Sequence, residues 1–327
     1  MRAVLFYRYL KYFQFLEMYK IRTYIIIENV YFFQIGIGII ANTFLLVFHI
    51  YVSAQVHRLG PRPSDMTTCN LAFVHTVMLF TTLDIFSAEM FMLLDFPNDL
   101  KCKLLFYLSR VMRGLSISTT CLLSIIQAIT ISPSSCFLSR FNCKLTKNVA
   151  IAFFCIWSLN LSSNSNMIIY TVAHSNRTNL LTVSKYCSVS SMDSVITTIF
   201  FMLAFSQNVF FVGIMLLSSM YMVIFLCNHQ RKSEYLHGIS TFPRISPAKR
   251  ATRTVLVLVS FFVIMYCVDI IMSSFSTISW KYEPIVLGIQ RLVVNAYATV
   301  SPLVLISSDK RIIHVLQCII DKIAILS

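Results

Sequence analysis

Charge is what this chain has least of. Asp, Glu, Lys and Arg make up 12% of its 327 residues, about half of the quarter usual in globular domains. Hydrophobic residues make up 57%. Such a chain cannot cover its outside with polar side chains, so a soluble fold is excluded and lipid is its natural solvent. Glycine occurs 7 times and proline 8 times, too rarely for collagen, and the apolar content excludes disorder. Ten cysteines are too sparse for a small disulfide scaffold. No P-loop, dinucleotide fingerprint, nucleophile–base pair or metal-ligand spacing is present. No catalytic residue, cofactor or metal is therefore expected, and the chain does not read as an enzyme. No internal repeat appears, and a transporter often shows related halves. Acids are scarce, 13 against 27 Lys and Arg, for a net charge of +14. That excess could suggest nucleic acid, but its placement points to basic cytoplasmic loops instead.

What the chain has in abundance is long apolar runs, and a helix needs about 20 such residues to cross a bilayer. Seven runs qualify, at about 28–52, 66–94, 104–131, 149–171, 194–226, 253–278 and 285–308. The reading is an all-α membrane protein, a seven-helix bundle over 28–308. A tail of 1–27 precedes it, and a cytoplasmic tail of 309–327 comes after it. In that tail Ile312, Val315, Leu316, Ile319, Ile320 and Ile323 recur at helical spacing, which predicts a short amphipathic helix on the membrane. Cys318 within it is a palmitoylation candidate.

The loops give the orientation. Fourteen Lys and Arg lie on the side that holds the C-terminus, among them Arg140, Lys144 and the stretch Arg231–Arg253, against five on the other side. The positive-inside rule then places the C-terminus in the cytosol and the N-terminus outside. Five more basic residues before the first span oppose this and weaken the bias without reversing it. The first 27 residues lack the apolar core of a signal peptide. They read either as an aromatic, basic outer tail or as a leader before a true start at Met18. Asn176-Arg-Thr is a glycosylation acceptor in a predicted outer loop, whereas Asn160-Leu-Ser falls in mid-span, where no transferase reaches. Cys102 and Cys187 alone fall in predicted outer loops, and read either as a disulfide or as two free thiols.

Seven spans with a cysteine opening the third resemble the rhodopsin-like G-protein-coupled receptors. Asn42 in GIIAN and Leu71-Ala72 fit that class. Other motifs depart from it together. His75 stands where the second span's acid belongs, LLSIIQAITISP replaces the acid-arginine-tyrosine triplet, and Ser301-Pro302 replaces asparagine-proline. These departures, with HRLGPRPSD, SRVMRGLSISTTCLLS, QAITISPSSC, FFVIMYCVD and NAYATVSPLVLISSDKRI, are similar to the vomeronasal type-1 pheromone receptors over residues 28 to 318. The resemblance implies a plasma-membrane receptor for pheromones or other small semiochemicals. It also implies signalling through a heterotrimeric G protein of an inhibitory or olfactory class. A bitter-taste receptor is the neighbouring alternative. An opsin is excluded, because 285–308 contains no lysine for a Schiff base.

Charges inside a membrane cost a few kcal/mol or more each and usually mark function. Asp84, Glu89, Arg110, Arg113, Asp269 and Arg291 lie within the predicted spans, all in their outer two-thirds. They pair with one another, or they face a water-accessible cavity and meet a ligand there. The expected ligand-binding set is Ser109, Arg110, Arg113, Asp269, Arg291 and Asn295, with Tyr297 as a further polar contact. His49 and His75 are expected to serve as interhelical hydrogen-bond partners.

Overall fold

The computed structural model describes residues 2–55, 62–86, 98–132, 145–173, 180–182, 187–190, 194–237, 247–279, 284–309, 311–315 and 317. Seven long helices and one short one dominate it. They are α1 (Arg2–Gln55), α2 (Pro63–Phe86), α3 (Asn98–Ile131), α4 (Leu145–Ser163), α5 (Asn166–Tyr170), α6 (Ser194–His237), α7 (Pro247–Ser279) and α8 (Pro284–Ser308). Three begin on proline, whose fixed φ suits the first helical turn and whose missing N–H is no loss there. Asp65 lies in the first turn of α2, where an acid meets the positive end of the helix dipole.

Among the described residues five stretches are long and apolar enough to cross a membrane: Ile21–Ala54, Pro63–Leu83, Asp99–Ile131, Thr198–Asn228 and Gly288–Ser308. Thr252–Val268 in α7 is a shorter apolar stretch, and α4 has 19 residues. The 54 residues of α1 extend about 80 Å at 1.5 Å per residue, against about 30 Å of hydrocarbon. Its first part therefore projects from the bilayer, and the helix runs without a break from the predicted tail into the first span.

The helix α3 is the axis of the bundle. Its apolar window is 72% buried, against 17% for that of α6, which turns most of its surface outward. One core cluster joins α1, α2, α3, α4 and α8 around Ile35, Val74, Leu79, Val111 and Leu115. A second joins α3, α6, α7 and α8 around Met215, Met222, Leu258, Phe262 and Tyr297. Phe33, Phe154, Phe210 and Leu217 are exposed, as expected of side chains that face lipid rather than water.

A feature beyond the helical reading is a three-stranded antiparallel sheet between α5 and α6. Its strands are β1 (Thr171–Ala173), β2 (Leu180–Thr182) and β3 (Cys187–Ser190), in the order β1-β3-β2. Val189 pairs with both Thr171 and Leu181. Cys187 opens β3 opposite Ala173 and forms a disulfide with Cys102 at the start of α3. Of the two readings of this cysteine pair, the bridge is the one the structure shows.

Candidate functional site

A cavity lies between α3, α7 and α8 with one side on α2. Arg113, Ser116, Met265, Tyr266 and Tyr297 are among its walls. Helical periodicity explains the set. Arg113, Ser116 and Ile117 stand three and four apart on one face of α3, Val293, Val294 and Tyr297 do so on α8, and Phe262, Met265 and Tyr266 do so on α7. The cavity measures about 40 Å³, room for about three or four waters at roughly 10–15 Å³ each. Drug-sized ligands occupy pockets of about 300–1,000 Å³, so this cavity must widen to admit one.

Tyr297 forms the floor. Its hydroxyl is 3.0 Å from that of Thr120 on α3. Its ring stands edge-on to Phe262 of α7 at 4.8 Å and to His75 of α2 at 5.4 Å between centroids. Both ring nitrogens of His75 are used: Nε2 lies 2.7 Å from Ser116 Oγ and Nδ1 lies 3.1 Å from Ser301 Oγ. A neutral imidazole has one donor and one acceptor nitrogen, so one serine donates to it and the other accepts. His75 thus ties α2, α3 and α8 beneath the cavity, as expected of an interhelical partner. His49 differs. Its Nδ1 is 3.7 Å from Asp65, too far for a hydrogen bond, and finds no other partner among the described residues.

The expected ligand-binding residues separate in space. Arg113 is on the cavity wall. Ser109, half-buried, and Arg110, exposed, lie one turn toward Cys102. Arg291 lines a different and smaller recess between α1 and α8, with Tyr24, Glu28 and Tyr31. Asn295 is buried and donates from Nδ2 to the Arg291 carbonyl at 3.0 Å, while its Oδ1 has no hydrogen-bond partner among the described residues. The side chains of Asp84 and Asp269 lie outside the described residues, as do Glu89, Asn176 and Cys318. Sequence reasoning misses Ser116, Met265 and Tyr266. Tyr266 lies four and three residues from Phe262 and Val263 on an apolar helix, and no charge draws attention to it.

The second glycosylation pattern, at Asn160, is fully buried. Asn160 donates to Ser118 Oγ at 3.2 Å and accepts from Gln207 Nε2 at 3.0 Å, which links α4 to α3 and α6. The groups available around the cavity are a guanidinium, hydroxyls and aromatic rings. That set suits recognition of a small molecule with a polar end. Among the described residues no cluster of His, Cys, Asp and Glu could hold a metal.

Comparison with known proteins agrees with this architecture. The family model of the vomeronasal organ pheromone receptors matches residues 25–318. Vomeronasal type-1 receptor 90 of Rattus norvegicus is 40% identical over 301 residues, covering 90% of this chain and 94% of that protein. Vomeronasal type-1 receptor 51 of Mus musculus is 37% identical over 305 residues, covering 93% and 94%. With matches of that identity over nearly the whole length, the chain belongs to the vomeronasal organ pheromone receptor family.

Proposed function

We propose that this receptor admits a small ligand with an anionic or strongly polar group between α3, α7 and α8, and that Arg113 holds that group. The chain is a G-protein-coupled chemosensory receptor of the plasma membrane, a multi-pass protein and not an enzyme. The proposal concerns how it works. The observation that carries it is Arg113, a charged side chain in the wall of an otherwise largely apolar cavity. A guanidinium donates two parallel hydrogen bonds to a carboxylate or sulfate. Ser109 and Arg110 extend the same helix toward the outer surface. Asp269 of α7 and Asn295 of α8 complete the proposed contact set, while Arg291, in the recess between α1 and α8, stands apart from it.

In this reading α4 and α7 join the five apolar stretches to make seven crossings, with the N-terminus outside and the C-terminus in the cytosol. The ligand widens a cavity that has room for only a few waters, and so moves α7 or α8 against α3. Tyr297, in contact with His75, Phe262 and Thr120, carries that displacement into the core. A ligand shifts the two states only by its differential affinity for them, and the widened state is the one with room for it. The heterotrimer is of the inhibitory class.

Guanine-nucleotide exchange on membranes carrying the chain, with a panel of heterotrimers and small carboxylic and sulfated compounds, tests this. Arg113→Ala is expected to raise the half-maximal concentration about 10- to 100-fold, as a hydrogen bond to a charged group contributes roughly 1.5–3 kcal/mol. Arg113→Lys keeps the charge but loses the fork, and recovers part of the response. A wild-type response from Arg113→Ala at normal surface expression rejects the assignment.

A further inference from the structure

The end of the bundle opposite the disulfide holds an ionic cluster that the ligand site does not use. Asp309 comes directly after α8, and the tail helix over 311–315 comes next. The Asp309 carbonyl accepts from the Ile313 N–H at 3.1 Å, and its Oδ1 accepts from the Arg311 N–H at 2.8 Å. Asp309 is thus the N-cap of the tail helix. The Arg311 side chain grips two acids at once. Nη1 and Nη2 reach Asp65 Oδ2 and Oδ1 at 3.0 and 2.8 Å, and Nε and Nη2 reach Asp309 at 3.2 and 2.8 Å. Beside this clasp Ile312 is fully buried against Leu45, Phe48 and Ala72. The tail helix is therefore fastened to α1 and α2 by one ionic clasp and one apolar plug.

We propose that the Asp65–Arg311–Asp309 clasp is a resting-state latch, closed while the ligand cavity is narrow and open when the receptor engages its G protein. Three observations carry this. The α3 end reads LLSIIQAITISP and has no ionisable residue, so α3 itself offers no ionic latch. The contacts placed there, Ser124 with Ser218 at 2.6 Å and Ser132 with Tyr221 at 3.0 Å, join uncharged hydroxyls. Second, the clasp sits at the far end of the helix that lines the cavity. α8 carries Val293, Val294 and Tyr297 near its middle and leads to Asp309 at its C-terminal end. Pro302 lies between them, and a proline is the usual cause of a helix kink. Widening the cavity at α8 therefore moves Asp309 and Arg311 against Asp65. Third, the Arg311 side chain is 36% exposed, so water can rehydrate it when the clasp opens. Partly exposed ion pairs are weak enough for a binding partner to break.

The latch rests on the receptor's coupling to a G protein, and the test separates the two. Nucleotide exchange is recorded without and with the small carboxylic and sulfated compounds, on membranes carrying full-length wild type, Asp65→Asn, Arg311→Gln or the swap Asp65→Arg with Arg311→Asp. Surface expression is matched. Hydrogen–deuterium exchange of the amides at 311–317 is measured on the purified chains. Both single variants are expected to loosen the tail helix and to raise ligand-independent exchange about threefold to fivefold. The swap is expected to bring it back toward wild type. Loosened amides with basal exchange at the wild-type level overturn the latch, and so does a swap that stays as active as the single variants. Ligand-driven exchange in the same membranes shows separately whether coupling itself holds. Should a single variant fail to reach the surface, Arg311→Lys, which keeps the charge but cannot grip both acids as a fork, serves in its place with a smaller expected rise. No rise there overturns the proposal equally.

Discussion

Asn42 repairs the break that Pro302 makes in α8. A proline has no amide hydrogen, so the carbonyl four residues earlier, that of Ala298, loses its helical partner. Asn42 of α1 donates to that carbonyl at 2.8 Å, and the same Nδ2 donates to the Gly38 carbonyl at 2.8 Å. In hydrocarbon an unpaired backbone carbonyl is costly, and prolines persist in membrane helices because neighbours satisfy what they release. Replacing Asn42 by Leu leaves the Ala298 carbonyl unpaired and should cost about 1–3 kcal/mol. Thermal unfolding in detergent checks this, and the Pro302→Ala background gives the sharper result. There an alanine N–H serves Ala298, so Asn42→Leu should cost clearly less, and equal costs in both backgrounds would refute the pairing. A second residue-scale case is Gly114. A Cβ added there runs into the amide of Asn160, which is held on both sides by Ser118 and Gln207. Gly114→Ala is therefore expected to destabilise by roughly 1–3 kcal/mol, with the loss read as a lower melting temperature.

At the scale of elements, the apolar runs are legible because a membrane helix announces itself by length and lack of charge. The boundaries of α2 and α8 are set by Pro63, Asp65 and Pro284, all visible in the sequence. The proposed ligand cavity is legible only in part. Arg113 stands out as a charge in an apolar run, and nothing comparable marks Met265 or Tyr266. Arg113 and Arg291 look alike in sequence but line different recesses, because which face of a helix turns inward is decided by its neighbours. The periodicity of the tail predicts an amphipathic surface helix. Ile312 is instead buried against α1 and α2, while Val315 on the next turn is exposed. The same helix allows a pH prediction. Asp309 is half-buried, and burial alone raises its pKa. The hydrogen bonds and charge of Arg311 outweigh that and hold it below the ordinary carboxylate value. In the opposite sense, Asp65 and Asp309 hold the Arg311 guanidinium above its ordinary value, so it stays charged throughout. A depressed carboxyl contributes stability that is fully present above its unfolded pKa and lost as pH falls through the folded one. Protection of the 311–317 amides, corrected for intrinsic exchange, should thus hold from neutral pH to the ordinary carboxylate range and fall only below it. Asp309→Asn keeps a capping oxygen without the charge, and should show weaker protection at neutral pH with less of that acid loss.

At the scale of the whole molecule, orientation links the charge pattern, the disulfide and the two glycosylation patterns. The disulfide closes a loop of 85 residues, and chain entropy alone would put its removal at about 4–5 kcal/mol for a free chain. Membrane insertion already restrains α3 and α4, so the loss for Cys102→Ser should be smaller and fall on β3, whose first residue it anchors. Orientation is a finer balance, because the basic residues before the first span oppose the rule that the loops obey. Glycosylation decides it. If the disulfide end of the bundle faces the lumen during synthesis, Asn176 between β1 and β2 is on the side of the transferase. Asn160 is buried among α3, α4 and α6 and already spends its amide on Ser118, Gln207 and the Ile156 carbonyl. One glycan is therefore expected on the expressed chain. Glycosidase should shift its mobility by a single step, and Asn176→Gln should abolish that shift. Asn160→Gln should leave the glycan in place and lower the melting temperature, since the longer side chain cannot keep all three contacts. A chain with no glycan, carrying an epitope before Arg2 that antibodies reach only after permeabilisation, would place the N-terminus inside. The ligand cavity would then open toward the wrong compartment, and the clasp at Asp65 would face away from any G protein. A single glycan at Asn176 therefore supports the reading of both ends of the bundle at once.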